Sequence, residues 1–117
     1  MTEAAPNCIF CRIRDGGIPA DFLYRDDHAY AIRDISPRAP VHILIIPAEH
    51  IPSVSELTDD QLPIMGTLTG IAKRVAVSEG IADTGYRLAV NIGPDAHMTA
   101  PHLHLHLIGG RELGAEG

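Results

Sequence analysis

The sequence predicts an α+β domain: an antiparallel sheet of about five strands with one long and one short helix on the same sheet face. Three observations lead there. Stretches rich in β-branched and apolar residues at 23–25, 29–34, 41–46, 86–92 and 102–108 are separated by turn signals. The segment from Thr58 to Gly80 carries its apolar residues at helical spacing. A chain of 117 residues is long enough for one core and too short for two, so residues 1–117 are read as one domain with loosely ordered tails at 1–6 and 112–117.

The short helix comes first. Ile9, Phe10 and Ile13 are spaced to share a helical face, and Asp15-Gly16-Gly17 supplies a glycine stop. Leu23 to Arg25 and Ala29 to Asp34, joined through Asp26-Asp27, form a hairpin. Pro37 and Pro40 break the chain before Val41 to Ile46, a β-branched run that reads as a largely buried strand ending at Pro47. Thr58 with Gln61 three residues on makes a capping box for the long helix, with Leu62, Met65, Thr69 and Ala72 on one face and Gly80 as the stop; Pro63 kinks its start or delays it. Tyr86 to Ile92 and His102 to Ile108 complete the strands.

Composition limits the function. Mean hydropathy is near zero and no apolar run reaches 18 residues, so a soluble protein with no membrane partner is expected. The first residues lack a basic start followed by an apolar stretch, which predicts a cytoplasmic protein. A net charge of −6, with one lysine among nine basic residues, argues against a nucleic-acid polymer as partner. A small anionic ligand stays compatible, because histidines, an arginine or backbone N–H groups can make a pocket locally positive. Cys8 and Cys11 are the only cysteines. In a reducing compartment their C-x-x-C spacing reads as a metal half-site or a redox pair.

Most of the functional information lies in His102-Leu-His104-Leu-His106-Leu-Ile. In a strand, alternate side chains share a face, so the three imidazoles line one side at intervals of roughly 6.5 to 7 Å while Leu103, Leu105 and Leu107 pack into the core. Two chemistries fit such a row. His-x-His can ligate a metal, given a third ligand and an open position. A neutral imidazole can instead attack phosphorus and form a phosphohistidine-type intermediate that water discharges; an unperturbed pKa of about 6.5 leaves much of a histidine neutral at pH 7.

His102-Leu-His104-Leu-His106-Leu-Ile-Gly-Gly-Arg111, preceded by Asp34-Ile-Ser-Pro-Arg-Ala-Pro-Val-His42, Ile46-Pro-Ala-Glu-His50-Ile and Asn91-Ile-Gly93, resembles the histidine triad (HIT) superfamily, and within it the histidine-triad nucleotide-binding branch. The resemblance runs from about Cys8 to Arg111. It implies a HIT-like fold, a homodimer, and a hydrolase or transferase acting at the α-phosphorus of a nucleotide with no cofactor for catalysis. The expected activity is that of a purine nucleoside phosphoramidase, of the adenosine 5′-monophosphoramidate type, working through a nucleotidyl-histidine. His104 matches the nucleophile, His106 and His42 its supporting residues, and His102 the residue whose carbonyl orients it. Asp34 matches the ribose-binding acid and Asn91 a residue near phosphate and leaving group. Ile9, Phe10, Ile13, Ile18, Ile32, Ile35 and Leu44 fall where the family builds its base pocket.

Before the triad the chain departs from the branch pattern, with His97-Met98-Thr99 in place of the usual Gly-Gln-Ser. Met98 cannot donate the hydrogen bonds of a glutamine amide, whereas Thr99 keeps a hydroxyl able to reach a leaving group or phosphate oxygen. His97 reads as a loop residue or an extra acid. Some HIT relatives hold a structural zinc through residues matching Cys8, Cys11, His50 and His102, and the resemblance implies one here. Alternatives are cleavage or phosphorolysis of dinucleoside polyphosphates, a non-catalytic nucleotide-binding module, and a metal-dependent enzyme built on the histidine strand.

Overall fold

A computed structural model describes residues 7–117; the tail expected at residues 1–6 lies outside them. Helix α1 (Ile9–Arg14) is followed by strands β1 (Phe22–Arg25), β2 (Ala29–Arg33) and β3 (Val41–Pro47), then helix α2 (Pro63–Ser78), β4 (Tyr86–Ala89) and β5 (Leu105–Gly109). Short 3-10 turns at Val54–Glu56 and Pro94–Ala96 precede α2 and follow β4. The five strands form one antiparallel sheet in the order β1-β2-β3-β5-β4. Among the described residues no helix is long and apolar enough to cross a membrane.

The helices lie on opposite faces of the sheet, not on one as the sequence suggested. Leu68, Ile71, Ala72 and Val75 of α2 pack on Ala29, Ala31, Ile43, Ile45, Leu105 and Leu107. Phe10, Cys11 and Ile13 of α1 pack on Tyr30, Ile32, Leu44 and Ile46. Every residue of β3 is buried, and a strand apolar at both parities needs cover on both faces.

α2 starts later than the capping box implied. The Gln61 side-chain carbonyl does accept the Thr58 N–H at 3.0 Å, but residues 59–62 form turns and the helix begins at Pro63, whose missing N–H costs nothing in the first turn. It ends before Gly80, which adopts φ 76°. β4 stops at Ala89, where its pairing with β5 ends at His106. β5 itself begins at Leu105, so His102 and His104 precede the strand. Pro47 has no N–H to continue the β3 ladder; the Leu103 N–H bonds to the Ile51 carbonyl at 2.6 Å instead. The alternation nevertheless persists, with Leu103, Leu105 and Leu107 in the α2-side core. Residues 112–117 have no regular structure, and there Arg87 donates to the Gly114 carbonyl at 2.8 Å.

Candidate active site

β3, β5 and the segment leading into β5 present the histidines on the α1 side of the sheet. His42 of β3 is paired in register with Ile108, so it lies diagonally across from His106 on β5, and its Nε2 is 2.9 Å from His106 Nδ1. The Arg38 backbone N–H donates to His42 Nδ1 at 3.1 Å, which assigns the proton of a neutral His42 to Nε2. That N–H faces both His106 Nδ1 and the Asp34 carboxylate, 3.4 Å away. His106 therefore accepts at Nδ1 and carries its own proton on Nε2, a buried atom with no partner among the described residues. His104 is arranged the other way round. Its Nδ1–H donates to the His102 carbonyl at 2.8 Å, leaving the lone pair on Nε2. The site thus holds one free imidazole lone pair and, beside it, one free N–H; the two rings are 5.0 Å apart.

Burial keeps these supporting rings uncharged. His42 is 2% exposed and His106 6%. Burial pushes the His106 pKa down to about 4, with further lowering from His104 and His42, and the burial of His42 likewise lowers its pKa against the opposing pull of Asp34. Asp34, His42 and His106 are close enough to suggest a metal site. The hydrogen bonds argue otherwise, since the Arg38 N–H places a proton on the His42 nitrogen that would have to ligate.

A cleft of about 480 Å³ opens over these rings, lined by Asp34, Asn91, Thr99, His104 and His106 with Phe10 and Leu44 as its apolar wall. Arg38, His97 and Ala100 also line it. Of the seven apolar residues read as a base pocket, only Phe10 and Leu44 reach the cleft. Ile13 of α1 and Ile32 of β2 are buried in the core between that helix and the sheet, with Ile18 packed against the same core, while Ile9 is half-exposed and Ile35 is 95% exposed. His42 sits behind His106 and does not line the cleft. His97 is an exposed loop residue at φ 57°, as the loop reading expected, and it also borders the cleft. Arg38 and Ala100 were missed; a single arginine between prolines carries no spacing signal.

A second cluster lies behind the first. Cys8, Cys11, His50 and His102 bring four donor atoms within 4.8 Å of one another. Cys8 Sγ and His50 Nδ1 are each 3.1 Å from His102 Nδ1, and Cys11 Sγ is 3.4 Å from His50 Nδ1. Ligands about 2.0 to 2.3 Å from one tetrahedral zinc lie roughly 3.3 to 3.8 Å apart, so the set is slightly tight and otherwise suited. His102 donates its Nε2–H to the Pro47 carbonyl at 2.9 Å, which turns an unprotonated Nδ1 toward the thiols, the arrangement a ligating imidazole requires.

Residues 15–113 match the family model described as the HIT domain. The chain is 44% identical over 110 residues to the purine nucleoside phosphoramidase of Escherichia coli strain K12, a match covering 94% of this chain and 92% of that protein. A HIT family hydrolase from Clostridium thermocellum superposes with a TM-score of 0.93 at 43% identity, covering 97% of this chain and 98% of that one. A HIT family hydrolase from Legionella pneumophila gives a TM-score of 0.91 at 40% identity, covering 94% and 98%.

Proposed function

The chain belongs to the HIT domain family, and from that premise we propose that it hydrolyses purine nucleoside phosphoramidates, of the adenosine 5′-monophosphoramidate type, through a nucleotidyl intermediate on His104. One observation carries the reading. The hydrogen bond from His104 Nδ1 to the His102 carbonyl leaves the other ring nitrogen as a lone pair in the cleft. Similarity to an enzyme called a purine nucleoside phosphoramidase supports the substrate class.

In this mechanism His104 Nε2 attacks the α-phosphorus. The P–N bond breaks, and the amine leaves with the bonding pair and takes up a proton from water. The Nδ1–H to carbonyl bond stabilises the positive charge that the ring gains on attack. The Nε2–H of His106 donates to a phosphate oxygen while its Nδ1 accepts from the His42 Nε2–H, which holds the ring in that tautomer. Water then attacks the same phosphorus, His104 departs with its lone pair restored, and a proton is released.

In the same reading Asp34 accepts hydrogen bonds from the ribose hydroxyls, Asn91 and Thr99 contact phosphate or leaving group, and the base rests on Phe10 and Leu44. Ile13, Ile18 and Ile32 back that wall, with Ile9 and Ile35 at its margin. Cys8, Cys11, His50 and His102 hold one zinc, which with four protein ligands cross-links the chain and takes no part in the reaction. A homodimer fits β4, an edge strand that carries the exposed Leu88 and is followed by the exposed Ile92. A reducing, cytoplasmic setting fits the two free thiols.

The test is turnover of an adenosine phosphoramidate by the wild-type protein and by His104→Ala. The variant is expected to lose several orders of magnitude in kcat with an unchanged circular dichroism spectrum, and mass spectrometry of quenched wild-type reactions should find adenylate on His104. An unchanged rate, or a label on another side chain, would overturn the mechanism.

A further inference from the structure

The cleft over the histidines does not end at Asn91. Arg38, Asn91 and His106 also line a second depression of about 300 Å³, together with Arg87 and Arg111. Three of the nine basic residues of a chain with net charge −6 thus converge beside the phosphorus-binding position. Little of this positive charge is neutralised. Arg111 donates to the carbonyls of Arg38 and Glu112, both at 2.8 Å, and neither acceptor is an anion. Among the described residues the only carboxylate paired with any of the three is Glu116, 3.5 Å from Arg87 and largely exposed. The chain's own C-terminal segment therefore lays an acid where an external anion would bind.

The strand order gives this depression a direction. Asp34 follows β2, His42 lies on β3, His106 on β5 and Arg87 on β4, and these strands are successive neighbours in the sheet. A nucleotide with its ribose at Asp34 and its phosphorus at the histidines carries, besides two non-bridging oxygens, one further substituent, and the strand order puts Arg87 on the side of the histidines away from the ribose. That substituent is the leaving group.

We propose that Arg38, Arg87 and Arg111 form an anion subsite for the leaving group, so that the preferred substrates carry a carboxylate or phosphate on the group expelled, with Glu116 as the subsite's internal competitor. This rests on the assignment of His104 and Asp34 given above. The guanidinium fork suits either anion, because both offer paired oxygens.

Three adenosine phosphoramidates test it: one with an amino acid as the amine, one with the corresponding amino acid amide, and one with a phosphate-bearing amine. The quantity read is kcat/KM for each charged substrate relative to the neutral one, and the same preference is measured as Kd with analogues in which CH2 replaces the bridging nitrogen. The wild type is expected to prefer at least one anion by about tenfold, the size of one charge-assisted contact. Whichever charged arm shows the preference identifies the anion. Arg87→Gln should remove most of it, Arg87→Lys should retain part, and deletion of residues 113–117 should increase it a few-fold. Lys73→Gln, which takes the same charge from the exposed face of α2, should not change it.

Equal affinity for charged and neutral analogues in the wild type would overturn the subsite, as would a preference that Arg87→Gln leaves intact or that Lys73→Gln lowers equally. Failure of the nucleophile assignment reads differently. The Kd preference would persist and respond to Arg87→Gln while no adenylate appears on His104.

Discussion

His106 stands at the junction of binding and acid stability, because the feature that makes it a good donor, deep burial in neutral form, also makes it sensitive to protons. Its ring takes up a proton only near pH 4 in the folded protein, against about 6.5 when unfolded. The unfolded chain therefore binds more protons than the folded one between those values. The contribution of this ring to stability is complete above about pH 6.5, falls as the pH drops toward 4, and is lower by about 3 kcal/mol below that. Urea denaturation at pH 7.5 and 4.5 should show this loss, and His106→Asn should flatten that part of the profile. An identical pH slope in the two proteins would show that the ring is not held neutral as described. The row of histidines was legible in the sequence because a period of two is the strand's own signature. Their protonation pattern was not, since it depends on the backbone N–H of Arg38 and the backbone carbonyl of His102, which carry no side-chain signal.

At the scale of elements, β5 illustrates what patterning reveals and what it leaves out. Its leucines predicted a buried face correctly, and the hydrophobic β3 beside it already implied cover on both sides, which the grouping of both helices on one face overlooked. Boundaries were harder to read. The end of a strand is set by where its neighbour stops offering hydrogen bonds, and the partners of β5 and β4 are remote in sequence. The end of β5 also depends on a contact that sequence alone does not show. A Cβ on Gly109 would lie 2.9 Å from Ile81 Cδ1 and 3.3 Å from both the Gly85 carbonyl oxygen and Tyr86 Cβ. The isoleucine tip can yield, but the backbone oxygen and the tyrosine Cβ are held by the β4 pairing. Gly109→Ala should therefore destabilise the fold by about 1 to 3 kcal/mol. Calorimetry should register this as a melting temperature lower by roughly 5 to 15 °C. A variant that melts with the wild type would mean the junction of β4 and β5 is looser than the structure shows.

Over the whole molecule, the cluster of Cys8, Cys11, His50 and His102 joins segments that the sheet alone holds only indirectly: α1, the turn after β3 and the approach to β5. Cys8 and His102 are 94 positions apart. An ion there would close most of the chain into one loop, and its binding energy would add to folding stability because the unfolded chain has no preformed site. Burial already raises the Cys8 pKa, so without a cation nearby the thiol keeps its proton. Two consequences can be separated by experiment. Metal analysis should find about one zinc per chain, and chelation or Cys11→Ser should lower the melting temperature by several degrees. Turnover assayed well below the new melting temperature should fall only slightly, because the Nδ1–H to carbonyl contact of His104 uses the His102 backbone rather than its ring. The His102 ring also keeps its bond to the Pro47 carbonyl when the ion is gone, which restrains that backbone. A loss of activity proportional to metal removed, at a temperature where the protein stays folded, would instead place the ion in the reaction and contradict a purely structural role.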